Sequence, residues 1–139
     1  MNREIKFRGK RVDNDEWTYG YLVFSEDYMF DYSCRIDIPY IIPIDNFNLK
    51  DYREYRVDES TIGQYTGLKD KNGIEIYEGD VLNNTAVNFK FIVKFENTKY
   101  ILQKLEYPDD ALDMNDYFHR IPTMFEVIGN IYESEVKNE

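Results

Sequence analysis

The residues best suited by type and spacing to bind a metal ion follow position 108. They are four aspartates and the single histidine: Asp109, Asp110, Asp113, Asp116 and His119. On a helix, residues three apart lie near one face, so Asp113, Asp116 and His119 could converge on a divalent ion that activates water. A solvated polar face explains the same residues with fewer assumptions. The metal-dependent hydrolase is therefore our weakest hypothesis, and we predict neither a metal nor a cofactor.

Other catalytic arrangements find even less support in the sequence. Cys34 is the only cysteine, which rules out an intramolecular disulfide, and no histidine lies near it in sequence to activate it. The segment 70–73 imitates part of a calcium loop, but Leu68 and Gly79 occupy positions where that loop needs acids. The glycines are also wrongly spaced for a phosphate-binding loop. We predict that the protein is not an enzyme.

The charge of the chain bears on two further alternatives, nucleic-acid binding and DNA mimicry. With 27 acidic against 17 basic residues, the formal net charge is −10, which opposes nucleic-acid binding over most of the surface. The exception is a basic N-terminus, whose predicted phosphate contacts are Arg3, Lys6, Arg8 and Lys10. Nucleic acid is thus an unlikely partner, and a nucleic-acid-binding module is an alternative. A second alternative, an acidic DNA mimic that inhibits a DNA-binding protein, fits the overall charge.

The elements that must position these residues are mostly strands, because the apolar residues alternate with a period of two. Residues 36–44 alternate completely, and Pro39 and Pro43 predict that this strand lies at a sheet edge. Residues 87–95 and 100–105 predict a hairpin that turns at 96–98. A last strand over 124–132 is interrupted by Gly129, which is typical of a bulge. The sequence predicts one short helix, residues 108–118, with Asp109 as its N-cap.

The strongest turn signal is Asn72-Gly73, which predicts a type I′ hairpin between segments 61–68 and 74–77. We therefore predict a mainly β fold: a small SH3-like barrel over about residues 59–135, with additional N-terminal strands and one short helix. The whole chain, 1–139, is predicted to be a single domain with a subdivision into 1–58 and 59–139.

Aromatic residues are abundant: 13 Tyr, 9 Phe and 1 Trp. Tyrosine suits half-buried strands and protein interfaces because it combines an apolar ring with a polar tip. Our predicted interface residues are Trp17, Tyr19, Tyr21 and Tyr40. The sequence shows neither an apolar run long enough to cross a bilayer nor an apolar secretory leader, so we expect a cytoplasmic protein without a membrane partner.

The segment from Ile62 to Val81, IGQYTGLKDKNGIEIYEGDV, closely resembles the signature of the YopX family of phage and prophage proteins. Segments 3–8, 17–20 and 126–132 match the family in the same order. The resemblance implies a mainly β fold, homo-oligomers and a bacterial host cytoplasm, and it implies no established activity. Hairpin turns account for the signature, so we predict structural roles for five residues: Gly67, Asp70, Asn72, Gly73 and Gly79.

Together these observations favour a non-enzymatic protein-binding or self-assembling module. Its expected partner is a second copy of the chain, or a host or phage protein.

Overall fold

The computed structural model of the protein describes residues 4–29, 34–46 and 52–133. These residues form two antiparallel sheets and one short α-helix, so the predicted mainly β fold is confirmed. The strands are β1 (Phe7–Lys10), β2 (Trp17–Met29), β3 (Cys34–Ile42), β4 (Gly63–Lys69), β5 (Glu75–Tyr77), β6 (Asp80–Asn84), β7 (Phe89–Glu96), β8 (Lys99–Lys104), β9 (Ala111–Asp113) and β10 (Phe125–Asn130). The helix α1 spans Ile121–Met124, and 3₁₀ helices span Ile44–Asn46, Tyr52–Tyr55, Glu59–Thr61 and Met114–Tyr117.

Contacts divide the described chain into an N-terminal unit, residues 4–64, and a C-terminal unit, residues 65–133. The division falls between Gln64 and Tyr65, later than the boundary after residue 58 that the sequence predicts. Strand β4 contributes to both units: its first two residues pair with β1, and its remainder pairs with β5.

In the N-terminal unit, β1 pairs with Trp17–Gly20 at the start of β2, and β3 pairs with the rest of β2 from Tyr21 to Met29. Two isolated bridges, Arg11 to Val57 and Tyr40 to Arg56, place the segment 56–57 between the end of β1 and β3. The strand order makes β3 terminal in its sheet, so the predicted edge position is confirmed.

The alternation predicted for β3 is also confirmed. Ile38, Tyr40 and Ile42 form one buried cluster, against which Ile36 and Tyr52 pack. The backbone carbonyl of Pro39 accepts a hydrogen bond from the Val57 N–H at 3.2 Å, on the side away from β2. A residue's N–H and C=O point the same way in a strand, so the missing N–H of proline costs the β2–β3 ladder nothing.

The C-terminal unit contains a five-stranded sheet in the order β10-β6-β7-β8-β9. Its core consists of eight buried residues: Ile76, Leu82, Phe91, Val93, Leu102, Met114, Ile121 and Phe125. The predicted hairpin is confirmed as β7 and β8, and Asn97 and Thr98 at its tip both have positive φ, 52° and 66°. Two such residues in a two-residue loop define a type I′ turn.

The predicted bulge at Gly129 is confirmed, because Val127 lies opposite Leu82 while Gly129 lies opposite Val81. Ile128 is the extra residue in β10, and its side chain is buried. The strand pairings of the described residues give two open strand orders, so an SH3-like barrel over residues 59–135 stays a prediction.

The predicted helix over 108–118 is wrong. Residues 111–113 form β9 and pair with β8, with Leu112 opposite Leu102, and a 3₁₀ helix follows at Met114–Tyr117. The short α-helix lies later, at Ile121–Met124, with proline in its first turn. Met114 and Phe118 are four residues apart, which fits one face of a helix. Pairing with β8, however, gives the backbone of 111–113 hydrogen-bond partners in another strand.

Candidate protein-interaction surface

Strand β2 exposes two tyrosines where its pairing passes from β1, opposite Tyr19, to β3, opposite Tyr21. Tyr19 and Tyr21 are 46% and 45% exposed, and Val23 is 36% exposed. Alternate residues of a strand share a face, so these three side chains form one continuous surface, which we call the tyrosine surface. Its strand is held tightly against β3: a Cβ on Gly20 would lie 2.0 Å from the backbone oxygen of Ile42. Only glycine fits between the two tyrosines.

Trp17, at the start of β2, contacts cations of its own unit. The guanidinium carbon of Arg8 lies 4.7 Å from the centroid of the Trp17 ring, and the Lys10 ammonium lies 5.7 Å from it. Both distances suit cation–π attraction. Trp17 is half-buried. Among the residues predicted for the interface, it therefore lies next to the tyrosine surface and exposes less area than Tyr19 or Tyr21.

Tyr40 does not belong to this surface. Its side chain is 8% exposed and packs edge-to-face on Tyr52, with ring centroids 4.9 Å apart. Tyr40 is predicted as an interface residue because its strand lies at a sheet edge, and that role stays a prediction. Its ring offers little area to a partner, because the 3₁₀ helix at Tyr52–Tyr55 covers its face of β3.

The N-terminal cations predicted to contact phosphate are engaged within the unit. Arg8 is 5% exposed, and the side chains of Lys6 and Lys10 are each 14% exposed. Lys6 pairs with Glu4 at 3.1 Å, and Lys10 lies 3.8 Å from Asp15. Arg3 lies outside the described residues. Lys6, Arg8 and Lys10 thus have partners within the unit, and their contact with phosphate stays a prediction.

The helix that was expected to gather Asp113, Asp116 and His119 does not form. Asp113 ends β9, where its carboxylate accepts a hydrogen bond from the Asn115 N–H at 2.9 Å and one from Lys99 at 3.2 Å. These bonds, the backbone one foremost, lower the pKa of Asp113 below its ordinary value of 3.8. Over the part of the chain that the structure describes, no three His, Cys, Asp or Glu side chains are grouped to hold a metal ion.

Asp70 links the signature hairpin to the last strand. Its Oδ1 accepts hydrogen bonds from the backbone N–H groups of Asn72 and Ile74, at 2.8 and 2.9 Å. Its Oδ2 accepts one from the N–H of Val127 in β10, at 2.8 Å. The side chain is 3% exposed, so this carboxylate organises buried backbone. The sequence predicts the turn role but not the connection to Val127.

A family model described as YopX protein matches residues 6–136. The chain belongs to the YopX family. The match spans both units, and it confirms the resemblance carried by the signature. A solved structure is similar in fold, the crystal structure of protein EF1440 from Enterococcus faecalis, with a TM-score of 0.50 and 22% identity over 95% of this chain and 96% of that one. No curated protein matches the chain.

The YopX signature has a different turn from the one predicted. Gly73 has a positive φ of 78°, but Asn72 does not, so the type I′ assignment is wrong. The Gly73 N–H donates to the Asp70 carbonyl at 3.0 Å, which closes a turn over 70–73. The physical reason is the Asp70 carboxylate, whose two bonds to the loop backbone fix a longer turn that ends in a left-handed glycine.

The other signature residues of this YopX-family chain also serve its turns and its backbone hydrogen bonds. Gly67 and Gly79 have positive φ, 88° and 94°, and Gly79 lies against the ring of Tyr132. Sequence reasoning missed Asp80, which is 1% exposed and accepts a hydrogen bond from the Tyr77 N–H at 2.7 Å. An aspartate just after a glycine turn was the available signal.

Among the described residues, each helix falls short of the length and apolar character needed to span a bilayer.

Proposed function

We propose that the protein is a non-enzymatic binding module that assembles with a second copy of itself through the tyrosine surface, in the cytoplasm of a phage-infected or lysogenic bacterium. The observation that carries the proposal is the joint exposure of Tyr19 and Tyr21, each nearly half accessible on one face of a single strand. Tyrosine rings bury a large apolar area at low conformational cost, and their hydroxyl groups retain hydrogen-bonding capacity at an interface.

The net charge of the chain predicts how this self-association depends on salt. Each copy carries a formal net charge of −10, so association brings like charges together. Salt screens that repulsion over about 8–10 Å at physiological ionic strength. Self-association through an aromatic surface therefore strengthens as salt is raised, whereas an assembly built on ion pairs weakens.

We also propose that the C-terminal unit is of the SH3-like class. Support comes from its meander β6-β7-β8-β9, followed by a 3₁₀ helix and a closing strand that returns to pair with β6. The tyrosine surface lies in the other unit, so this proposal on the fold class is independent of the proposed assembly.

Sedimentation velocity over a range of protein concentrations and NaCl concentrations tests the assembly. The wild-type chain is expected to form oligomers, and more strongly at high salt. The double variant Tyr19→Ser/Tyr21→Ser is expected to associate at least about 10-fold more weakly, because each buried aromatic ring contributes more than about 1 kcal/mol to association. The matched control is Tyr107→Ser, because Tyr107 lies in the other unit and is 62% exposed. Circular dichroism checks that the variants fold.

Two results contradict the proposal. A wild-type chain that stays monomeric at the highest concentration, with no host protein retained in a pull-down, removes both forms of binding. An oligomer that is equally stable in the double variant removes the tyrosine surface as its interface.

A further inference from the structure

A groove lies in the N-terminal unit between the turn after β1, strand β3 and the segment 56–59. Its volume is about 490 Å³. Its apolar lining comes from both sides: Val12, Ile36, Ile38, Pro39 and Val57. The groove is distinct from the tyrosine surface, and an inference about it goes beyond self-assembly.

Backbone pairing along β3 stops at the groove. The Val57 N–H bonds the Pro39 carbonyl, but the next residue, Asp58, turns its N–H to the carbonyl of Lys10, at 2.8 Å. Among the described residues, no strand pairs with the outer side of β3 beyond that point. Strand alternation directs the N–H and C=O groups of Asp37 and Arg35 to the same side as the Pro39 carbonyl. Within the described ranges they therefore form an open edge beside an apolar groove.

The groove is lined by four acidic and two basic side chains, and one of the acids, Asp15, lies 3.8 Å from Lys10. Its acidic lining residues are Asp15, Asp37, Asp58 and Glu59. Its two cations are Arg11 and Arg56, and Arg11 is occupied by Asp13 at 2.6 Å and lies 3.9 Å from Glu54. Nearby, the charge of Arg35 is shared between Glu26 at 2.9 Å and Asp37 at 3.3 Å.

We propose that the groove binds an extended, basic segment of a partner protein, which adds as a strand to the outer edge of β3 at Arg35–Asp37. Main-chain hydrogen bonds to the edge provide the attachment, apolar side chains on one face of the segment enter the groove, and basic side chains meet its acidic rim. A second copy of the chain is disfavoured as the occupant because it brings a net charge of −10 to an acidic site.

An NMR titration of the ¹⁵N-labelled full chain tests the proposal. The probe is a capped hexapeptide of alternating lysine and valine, and the matched peptide replaces lysine with glutamate. We expect the lysine peptide to shift the amides of 35–37 and 57–59, and the glutamate peptide to bind at least about 10-fold more weakly. Methylation of the backbone nitrogens on one edge of the lysine peptide should abolish binding, whereas methylation on the other edge should not.

Charge reversal in the chain gives the second part of the test. Asp37→Lys should weaken binding of the lysine peptide at least about 10-fold, and Glu59→Lys provides a second variant should Asp37→Lys fail to fold. Asp109→Lys is the control, because it makes the same charge change in the other unit. The variant Tyr19→Ser/Tyr21→Ser should retain full peptide affinity, which separates this site from the proposed assembly surface.

Three outcomes overturn the proposal. Equal binding of the two peptides removes the charge argument, and insensitivity to methylation of either edge removes strand addition. Amide shifts at 35–37 that depend on protein concentration without peptide identify a second copy as the occupant.

Discussion

Removing the Asp70 carboxylate should destabilise the C-terminal unit strongly. The side chain accepts three backbone hydrogen bonds, at 2.8, 2.9 and 2.8 Å, and is 3% exposed. A hydrogen bond to a charged group contributes about 1.5–3 kcal/mol. The three are not additive, since they share one acceptor group, so we expect Asp70→Ala to cost about 3–5 kcal/mol. That is a large part of the roughly 5–15 kcal/mol typical of a whole domain.

The variant Asp70→Asn shows how much of this loss of unfolding free energy comes from the turn and how much from the hydrogen bond to β10. An amide has one acceptor oxygen and one donor group, so it can satisfy the two loop N–H groups while its NH₂ opposes the Val127 N–H. We expect Asp70→Asn to cost about 2–3 kcal/mol, with the main loss of protection at Val127. Asp113→Ala is the control for a local backbone cap without a long-range connection, and a smaller loss is expected.

The assay must report on the C-terminal unit. Trp17, the only tryptophan, lies in the N-terminal unit, so its fluorescence follows the other part of the chain. Urea unfolding is therefore measured by circular dichroism, together with amide hydrogen exchange at Asn72, Ile74 and Val127. A loss below about 1 kcal/mol for Asp70→Ala, or unchanged exchange at Val127, would refute the argument that this carboxylate joins the hairpin to β10.

Three further predictions concern single residues. Thr98→Gly should stabilise the β7–β8 hairpin by about 0.5–1 kcal/mol, because threonine at φ 66° is strained; a lower urea midpoint would contradict this. Gly20→Ala should cost at least about 3 kcal/mol because its Cβ would lie 2.0 Å from the Ile42 oxygen, and a near-normal melting temperature would exclude that contact. Asp113→Asn should reduce the stability lost on acidification: the lowered pKa makes the carboxylate stabilising above pH 3.8, and that contribution disappears as pH falls through its folded pKa. Parallel pH titrations of stability for both chains would argue against this.

The sequence predicts those strands best whose alternation is enforced by burial on one face. Residues 36–42 and the β7–β8 hairpin are examples, because a one-residue shift would expose their buried side chains. It fails where a distant strand supplies the backbone partners, as β8 does for 111–113. The turn type at 70–73 fails for a related reason: the Asn-Gly preference is local, while the Asp70 carboxylate also bonds Val127.

The interface residues show the same limit. Alternation establishes that Tyr19 and Tyr21 share a face, but it cannot tell which faces other elements cover. Tyr40 has an equally regular pattern around it, yet Tyr52 packs on its ring. Exposure of a strand residue is a property of the tertiary structure, so the burial of the Tyr40 ring could not be predicted from residues 36–44.

The family signature and the candidate binding surfaces belong to different parts of the chain. From Tyr65 onward the signature lies in the C-terminal unit, where Asp70 and Asp80 are buried and bond backbone N–H groups. The tyrosine surface and the acidic groove both lie in the N-terminal unit. A motif whose polar groups are occupied by its own backbone identifies a fold and leaves the partner undetermined. Tests of the proposed partner binding should therefore begin with residues 11–59, which lie outside the 62–81 signature but within the family match over 6–136.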